Sequence, residues 1–163
     1  MFPADVESLA RQVIEAASLR GLMLATAESC TGGLVTGALT AVPGSSTAVE
    51  RGFVTYSNAA KSDLLGVSAD LIARDGAVSE SVARAMATGA LDRSAAQVSV
   101  AVTGVAGPGG GSPDKPVGLV HFAAAGPAGV IHVERRFGDT GREAVRLASV
   151  RVALELLLDR IGA

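Results

Sequence analysis

The chain has 163 residues, 48% of them hydrophobic and 18% charged. That is enough to bury roughly 68–70% of the unfolded surface in one domain and too apolar for disorder. A net charge of −2 lacks the basic footprint of a general nucleic-acid binder, and a single cysteine, Cys30, excludes an internal disulfide and a multi-cysteine metal site. Met1 to Ala10 carries no basic segment leading into an apolar core, and no apolar run reaches membrane-spanning length. The expectation is a soluble, cytoplasmic chain.

In chain order, Val6, Leu9, Val13, Ile14 and Ala17 fall on one helical face, which predicts an amphipathic helix from Ala4 to Leu19. Leu22 to Thr26 reads as a strand, and Thr31 to Ala41 as a helix stopped by Pro43-Gly44. Phe53 to Tyr56 is a short β-rich run. Asn58 to Leu65 and Ala69 to Asp75 read as two short helices parted near Gly66. Ser79 is a candidate N-cap for a helix running to Asp92. Gln97 to Thr103 is the next strand, followed by a loop from Gly104 to Pro116. Val117 to Ala124 and Val130 to Arg136 suit a hairpin whose loop is longer than two residues. Thr140 and Glu143 have capping-box spacing before a final helix, Arg142 to Arg160. Helices alternating with strands, ending in a hairpin, predict a single-domain three-layer α/β/α sandwich with a mixed β-sheet.

The turn after the first strand, Ala27-Glu28-Ser29-Cys30-Thr31-Gly32-Gly33, gathers hydroxyl and thiol groups where a strand hands over to a helix. Unpaired N–H groups and the helix dipole favour anions and nucleophilic chemistry there. Together with Arg51-Gly-Phe-Val-Thr-Tyr-Ser-Asn-Ala-Ala-Lys61 and the Gly-rich run from Val102 to Gly118, this segment resembles the C-terminal domain of the competence-damage-inducible CinA proteins. The resemblance spans Val6 to Leu158. It implies a stand-alone nicotinamide-nucleotide amidohydrolase, which converts nicotinamide mononucleotide and water to nicotinate mononucleotide and ammonia. Full-length members carry a further N-terminal domain for which this chain has no room, so residues 1–163 are expected to form one amidohydrolase domain.

Amide hydrolysis needs a nucleophile, a base, oxyanion donors and an acid for the leaving ammonia. His121 and His132 both fall in the hairpin and read as structural or edge-strand residues, which argues against a Ser-His-Asp triad. With so few histidines and cysteines a hydrolytic metal site is not expected. Lys61 is then the base candidate, through a pKa depressed by desolvation, against the plain alternative of a solvated lysine opening a helix. Tyr56 either donates a hydrogen bond, serving beside Lys61 as the acid for the departing ammonia, or stacks on a pyridine ring, or packs on its strand. Ser29, Cys30 and Thr31 are the nucleophile candidates. Cys30 is intrinsically the most reactive but also a common packing residue, and Thr31 suits an N-cap. The resemblance implies Ser29 as nucleophile with Lys61 as base. Glu28 fixes the turn, orients Lys61, or is simply solvated.

Thr103, at the end of the third strand, is a candidate partner for the carboxamide or the oxyanion. Gly104 and Gly107 let backbone N–H groups approach a ligand. Backbone N–H groups from Cys30 to Gly33, including those of Gly32 and Gly33, are expected to bind the oxyanion. The loop is neither a Walker motif nor a dinucleotide fingerprint, so a mononucleotide fits better than ATP or NAD. Arg142, Arg146 and Ser149 share a stripe on the last helix, and the two arginines are candidate phosphate ligands. On the opposite stripe, Arg151 and Glu155 have salt-bridge spacing. No cofactor or metal is expected; the expected partner is the small-molecule substrate, with no nucleic acid and no membrane, and assembly into a homo-oligomer is expected. The alternative is a non-catalytic nucleotide-binding module with a regulatory role in competence or DNA damage.

Overall fold

The computed structural model describes residues 1–163. Five strands, β1 (Leu24–Glu28), β2 (Val49–Val54), β3 (Val98–Gly104), β4 (Leu119–Gly126) and β5 (Gly129–Arg136), form one sheet in the order β2-β1-β3-β4-β5. β1 is parallel to both β2 and β3, whereas β3, β4 and β5 pair antiparallel. Helices α1 (Ala4–Leu19), α2 (Leu34–Thr40) and α6 (Arg142–Gly162) cover one face; α3 (Asn58–Leu65), α4 (Ala69–Asp75) and α5 (Glu80–Asp92) lie on the other. This is the expected α/β sandwich with a mixed sheet.

Alternation along the strands gives the two faces different characters. The α1–α2–α6 side is packed with Leu24, Val98, Val100, Val102, Val120 and Phe122. The other side presents Ala25, Ala27, Ala101, Ala123 and Ala125 beneath α5. Alanines let α5 settle close to the sheet, where Ser99 Oγ donates to the Ala87 carbonyl at 2.7 Å. α3 presses on α5 in turn: a Cβ on Gly89 would stand 2.0 Å from the Leu65 carbonyl oxygen. Close packing of this kind fixes α3, and with it Lys61, relative to β1.

Boundaries shift where backbone pairing overrides residue preference. The first strand begins at Leu24 rather than Leu22, because the Leu22 N–H is taken by the Ala17 carbonyl at the end of α1. The second is Val49–Val54 instead of Phe53–Tyr56, since its register is set by β1, and Tyr56 lies beyond it. The second helix starts at Leu34, not Thr31, because Gly32 and Gly33 have φ of 58° and 96°. Thr31 therefore does not cap it; its hydroxyl is buried without a partner. The hairpin loop is shorter than expected: Gly126 pairs with Gly129, so Pro127-Ala128 alone closes it. The capping box at Thr140 and Glu143 does not form, since Gly141, at φ 100°, takes the N-cap position without a side-chain bond. Ser79 does cap α5, accepting from the Val82 N–H. Arg151 pairs with Asp5 of α1 instead of Glu155. No helix is long and apolar enough to cross a membrane.

Candidate active site

The chain leaves β1 toward β2 and leaves β3 toward β4, so the loops after these neighbouring parallel strands diverge at their carboxyl ends. That divergence opens a crevice where α/β sheets place ligands. A cavity of about 290 Å³ occupies it, lined by Ser29 after β1, Lys61 and Tyr56 from the β2–α3 region, Thr103 and the Gly104–Gly110 loop after β3, and Arg142 at the start of α6.

Ser29 is placed by its backbone. Its N–H donates to the Val102 carbonyl on β3, while the Thr55 N–H donates to the Glu28 carbonyl and draws the β2–α3 connection alongside. Lys61, in the first turns of α3, is 1% exposed. Its Nζ stands 3.0 Å from Ser29 Oγ and donates to the Thr55 carbonyl at 2.8 Å. No carboxylate pairs with it, and burial lowers its pKa below the ordinary 10.5. In its neutral form the amine can give one N–H to Thr55 and turn its lone pair to the Ser29 hydroxyl, an arrangement that allows it to accept that proton.

Glu28 does not orient Lys61. Its fully buried carboxylate accepts from the N–H groups of Gly33, Val35 and Thr36 and from Thr36 Oγ1, at 2.8–3.1 Å. It is thus the N-terminal cap of α2, supplied from the preceding strand, and is not solvated. Thr36 Oγ1 also meets Thr26 Oγ1 at 2.5 Å. Because Thr36 donates to Glu28, Thr26 must be the donor in that pair. The same arrangement removes Gly33 from the oxyanion donors, and Gly32 is removed by its N–H bond to the Ser29 carbonyl. Within this turn the N–H groups of Cys30 and Thr31 are the ones left without a protein acceptor.

Cys30 lines the cavity, but burial pushes its thiol pKa up to about 12. At neutral pH it holds a packed thiol and no thiolate nucleophile. Thr103, 1% exposed, donates its hydroxyl proton to the Ala77 carbonyl at 2.9 Å. It therefore faces the cavity as an acceptor, suited to a carboxamide NH₂ and not to an oxyanion. Tyr56 is exposed, past the end of its strand; its hydroxyl accepts from Arg142 Nη2 at 2.9 Å, and Arg142 Nη1 donates to the Gly107 carbonyl at 2.7 Å. These bonds tie together the three segments that border the cavity mouth.

The two arginines separate. Arg142 lines the cavity. Arg146, one turn along, sends Nε to the Cys30 carbonyl and Nη2 to the Thr31 carbonyl at 3.1 and 3.0 Å, and it borders a different hollow, with Phe2, Leu34 and Leu147. Ser149 is buried and donates to the Val145 carbonyl, so it faces no ligand. His121 and His132 meet outside the cavity, with Nδ1 and Nε2 2.9 Å apart. Asn58, the first residue of α3, and Val78, before α5, also line the cavity. Sequence pattern did not single them out, since neither belongs to a strand-end turn; the position of Asn58 two residues beyond Tyr56 was the available signal.

An α/β domain with a buried lysine against a serine at its topological switch point is thus defined by fold and site. The CinA C-terminal domain pattern matches residues 6–161, and the chain belongs to that family. A CinA-like protein of Synechococcus sp. (strain RCC307) is 55% identical over 157 residues, covering 96% of this chain and 38% of its own length. A putative competence-damage inducible protein of Symbiobacterium thermophilum is 58% identical over 126 residues, 77% of this chain and 30% of its own. The chain therefore spans about two fifths or less of these relatives. The crystal structure of the competence/damage inducible protein CihA from Agrobacterium tumefaciens superposes with a TM-score of 0.97 at 56% identity, covering 100% of this chain and 99% of that one. A CinA superfamily protein from Klebsiella pneumoniae 700603 gives 0.91 at 36% identity, covering 96% and 98%.

Proposed function

We propose that residues 1–163 form a nicotinamide-nucleotide amidohydrolase that hydrolyses the carboxamide of nicotinamide mononucleotide to the carboxylate and ammonia. The observation that carries this reading is the 3.0 Å contact between Ser29 Oγ and a buried, carboxylate-free Lys61. Burial that lowers the lysine pKa makes it the readier base, and a serine at that distance is the group it would deprotonate.

In the proposed mechanism Lys61 takes the Ser29 proton as Oγ attacks the amide carbon. The tetrahedral oxyanion faces the N–H groups of Cys30 and Thr31, while Thr103 accepts from the amide NH₂. The Lys61 ammonium returns its proton to the nitrogen as the C–N bond breaks, and ammonia leaves a Ser29 ester. Water, deprotonated by Lys61, then attacks that ester and releases the carboxylic acid and the Ser29 hydroxyl. Arg142, which lines the cavity, is the guanidinium proposed to meet the phosphate, with Tyr56 beside the pyridine ring. The cavity is near the lower end of ligand pockets, about 300 Å³, which favours a mononucleotide over a dinucleotide.

The test is ammonia release with product identification from nicotinamide mononucleotide, nicotinamide and NAD supplied separately. Turnover of the mononucleotide alone is expected. A second reading, a regulatory nucleotide-binding module, takes its support from the competence and damage wording in the names of the relatives. Lys61→Ala separates the two: hydrolysis should fall by at least about 10³-fold while substrate binding persists. Binding without turnover in the wild-type protein would favour the module.

A further inference from the structure

Arg146 has no contact with the cavity, yet two of its guanidinium donors hold adjacent carbonyls of the turn that carries Ser29. Each peptide group is planar, so fixing a carbonyl also fixes the direction of the N–H across the same C–N bond. The Cys30 carbonyl held by Nε shares its peptide with the Thr31 N–H. The Thr31 carbonyl held by Nη2 shares its peptide with the Gly32 N–H, which closes the turn onto the Ser29 carbonyl and thereby sets the peptide bearing the Cys30 N–H. Arg146, with the Leu34 N–H that also donates to the Thr31 carbonyl, thus helps set, from outside, the planes of both peptides whose N–H groups lack a protein acceptor. Its positive charge on a carbonyl also polarises that peptide and makes its N–H a stronger donor. The turn accommodates this closely: Gly32, at φ 58°, would place a Cβ 3.4 Å from Arg146 Nη2.

We infer that Arg146 is a positioning residue for the oxyanion donors beside Ser29, acting through the Cys30 and Thr31 peptides and not as a phosphate ligand. The inference rests on the amidohydrolase reading above and extends it to a residue that touches no substrate. Glu28 holds the other end of the same segment through the N–H groups of Gly33, Val35 and Thr36. One side chain therefore fixes the carbonyls before α2 and another the N–H groups at its start.

The experiment compares wild type, Arg146→Ala and Arg146→Lys on nicotinamide mononucleotide and on the corresponding nucleoside, which lacks the phosphate. Acylation of Ser29 by p-nitrophenyl acetate is followed in parallel by intact mass. For Arg146→Ala, kcat should fall about 10²–10³-fold, the scale of losing an oxyanion donor, with KM nearly unchanged. Acylation should slow similarly, and methylguanidinium should restore part of both rates. Arg146→Lys, whose ammonium reaches one carbonyl at a time, should lie between. Should the alanine variant fail to fold, the kcat against KM split of the lysine variant decides. A rise in KM confined to the phosphorylated substrate, with kcat intact, would make Arg146 a phosphate ligand and overturn the inference. Were the wild type to acylate but release no ammonia, slowed acylation in Arg146→Ala would keep Arg146 in this role while the substrate assignment fell. Equal acylation in wild type and Arg146→Ala would overturn the role whichever substrate is used.

Discussion

At the scale of single residues, Lys61 combines function with a stability cost. Its folded pKa lies below the 10.5 of the unfolded chain because burial disfavours the ammonium. Between those two values the unfolded state binds more protons, so stability rises with pH across that window and is lowered by the full penalty beneath it. Lys61→Met removes both the base and the penalty. It should abolish hydrolysis yet raise the urea midpoint at pH 7, with the gain shrinking as pH approaches 10.5. A variant less stable than wild type at pH 7 would show that the bonds to Thr55 and Ser29 outweigh desolvation. For the enzyme itself, kcat/KM should climb with pH through the lowered Lys61 pKa and then level off. Cys30 gives a contrasting case. With its thiol pKa pushed up to about 12, iodoacetamide should label it in urea but not in the native protein at pH 7.5.

At the scale of elements, the β1–α2 junction depends on a buried polar chain running Thr26, Thr36, Glu28 and into the start of α2. Glu28→Gln substitutes an NH₂ for one of two oxygens that face only donors, so at least one N–H loses its acceptor. Unfolding in urea should show a loss of about 2–3 kcal/mol, in the range for hydrogen bonds to a charged group. Gly52→Ala should act on the same chain from β2, because its Cβ would stand 2.3 Å from Thr36 Oγ1. Overpacking of this sort costs about 1–3 kcal/mol, and a neutral result would mean that Thr36 can turn away without harm. This junction also marks how far the sequence alone could be read. Local reading placed α1 by its apolar face, parted α3 from α4 near Gly66 and started α5 at the Ser79 cap, because each of these signals lies within a few residues of the chain. It could not reveal that Glu28 reaches eight residues ahead to cap α2, or that Arg146 turns back 116 residues to the Cys30 carbonyl, since both depend on how β1 and α6 are packed. The motif turn was legible as a candidate site because Ser29, Cys30 and the two glycines are adjacent in the chain. Which hydroxyl, thiol or N–H remained available there was not, because burial and the pairing of distant carbonyls decide it.

At the scale of the whole molecule, the pH dependence of stability follows from groups spread over both faces of the sheet. His121 on β4 and His132 on β5 share one hydrogen bond and stack with ring centroids 5.1 Å apart, close to Glu80 and Glu134. Burial lowers both pKa values below 6.5, with Lys115 and Arg84 adding to the effect and the two glutamates opposing it. The facing nitrogens can share one proton; a second would set two N–H donors against each other. As pH falls below 6.5 the unfolded chain therefore takes up protons that the folded pair resists, and stability declines. Surface carboxylates with lowered pKa, such as the exposed Asp5 and Glu80 and the half-buried Asp75, begin from ordinary values of 3.8–4.5 and contribute chiefly at lower pH. The range from pH 6.5 to 5 thus reports mainly on the histidine pair that joins the hairpin to the start of α5. Urea titrations should show the unfolding free energy decreasing through that range, and a His121→Leu, His132→Val double variant should flatten the decline. A wild-type curve that is flat from pH 6.5 to 5 would mean that Glu80 and Glu134 fully offset burial, leaving the pair protonated as readily in the folded protein as in the unfolded chain.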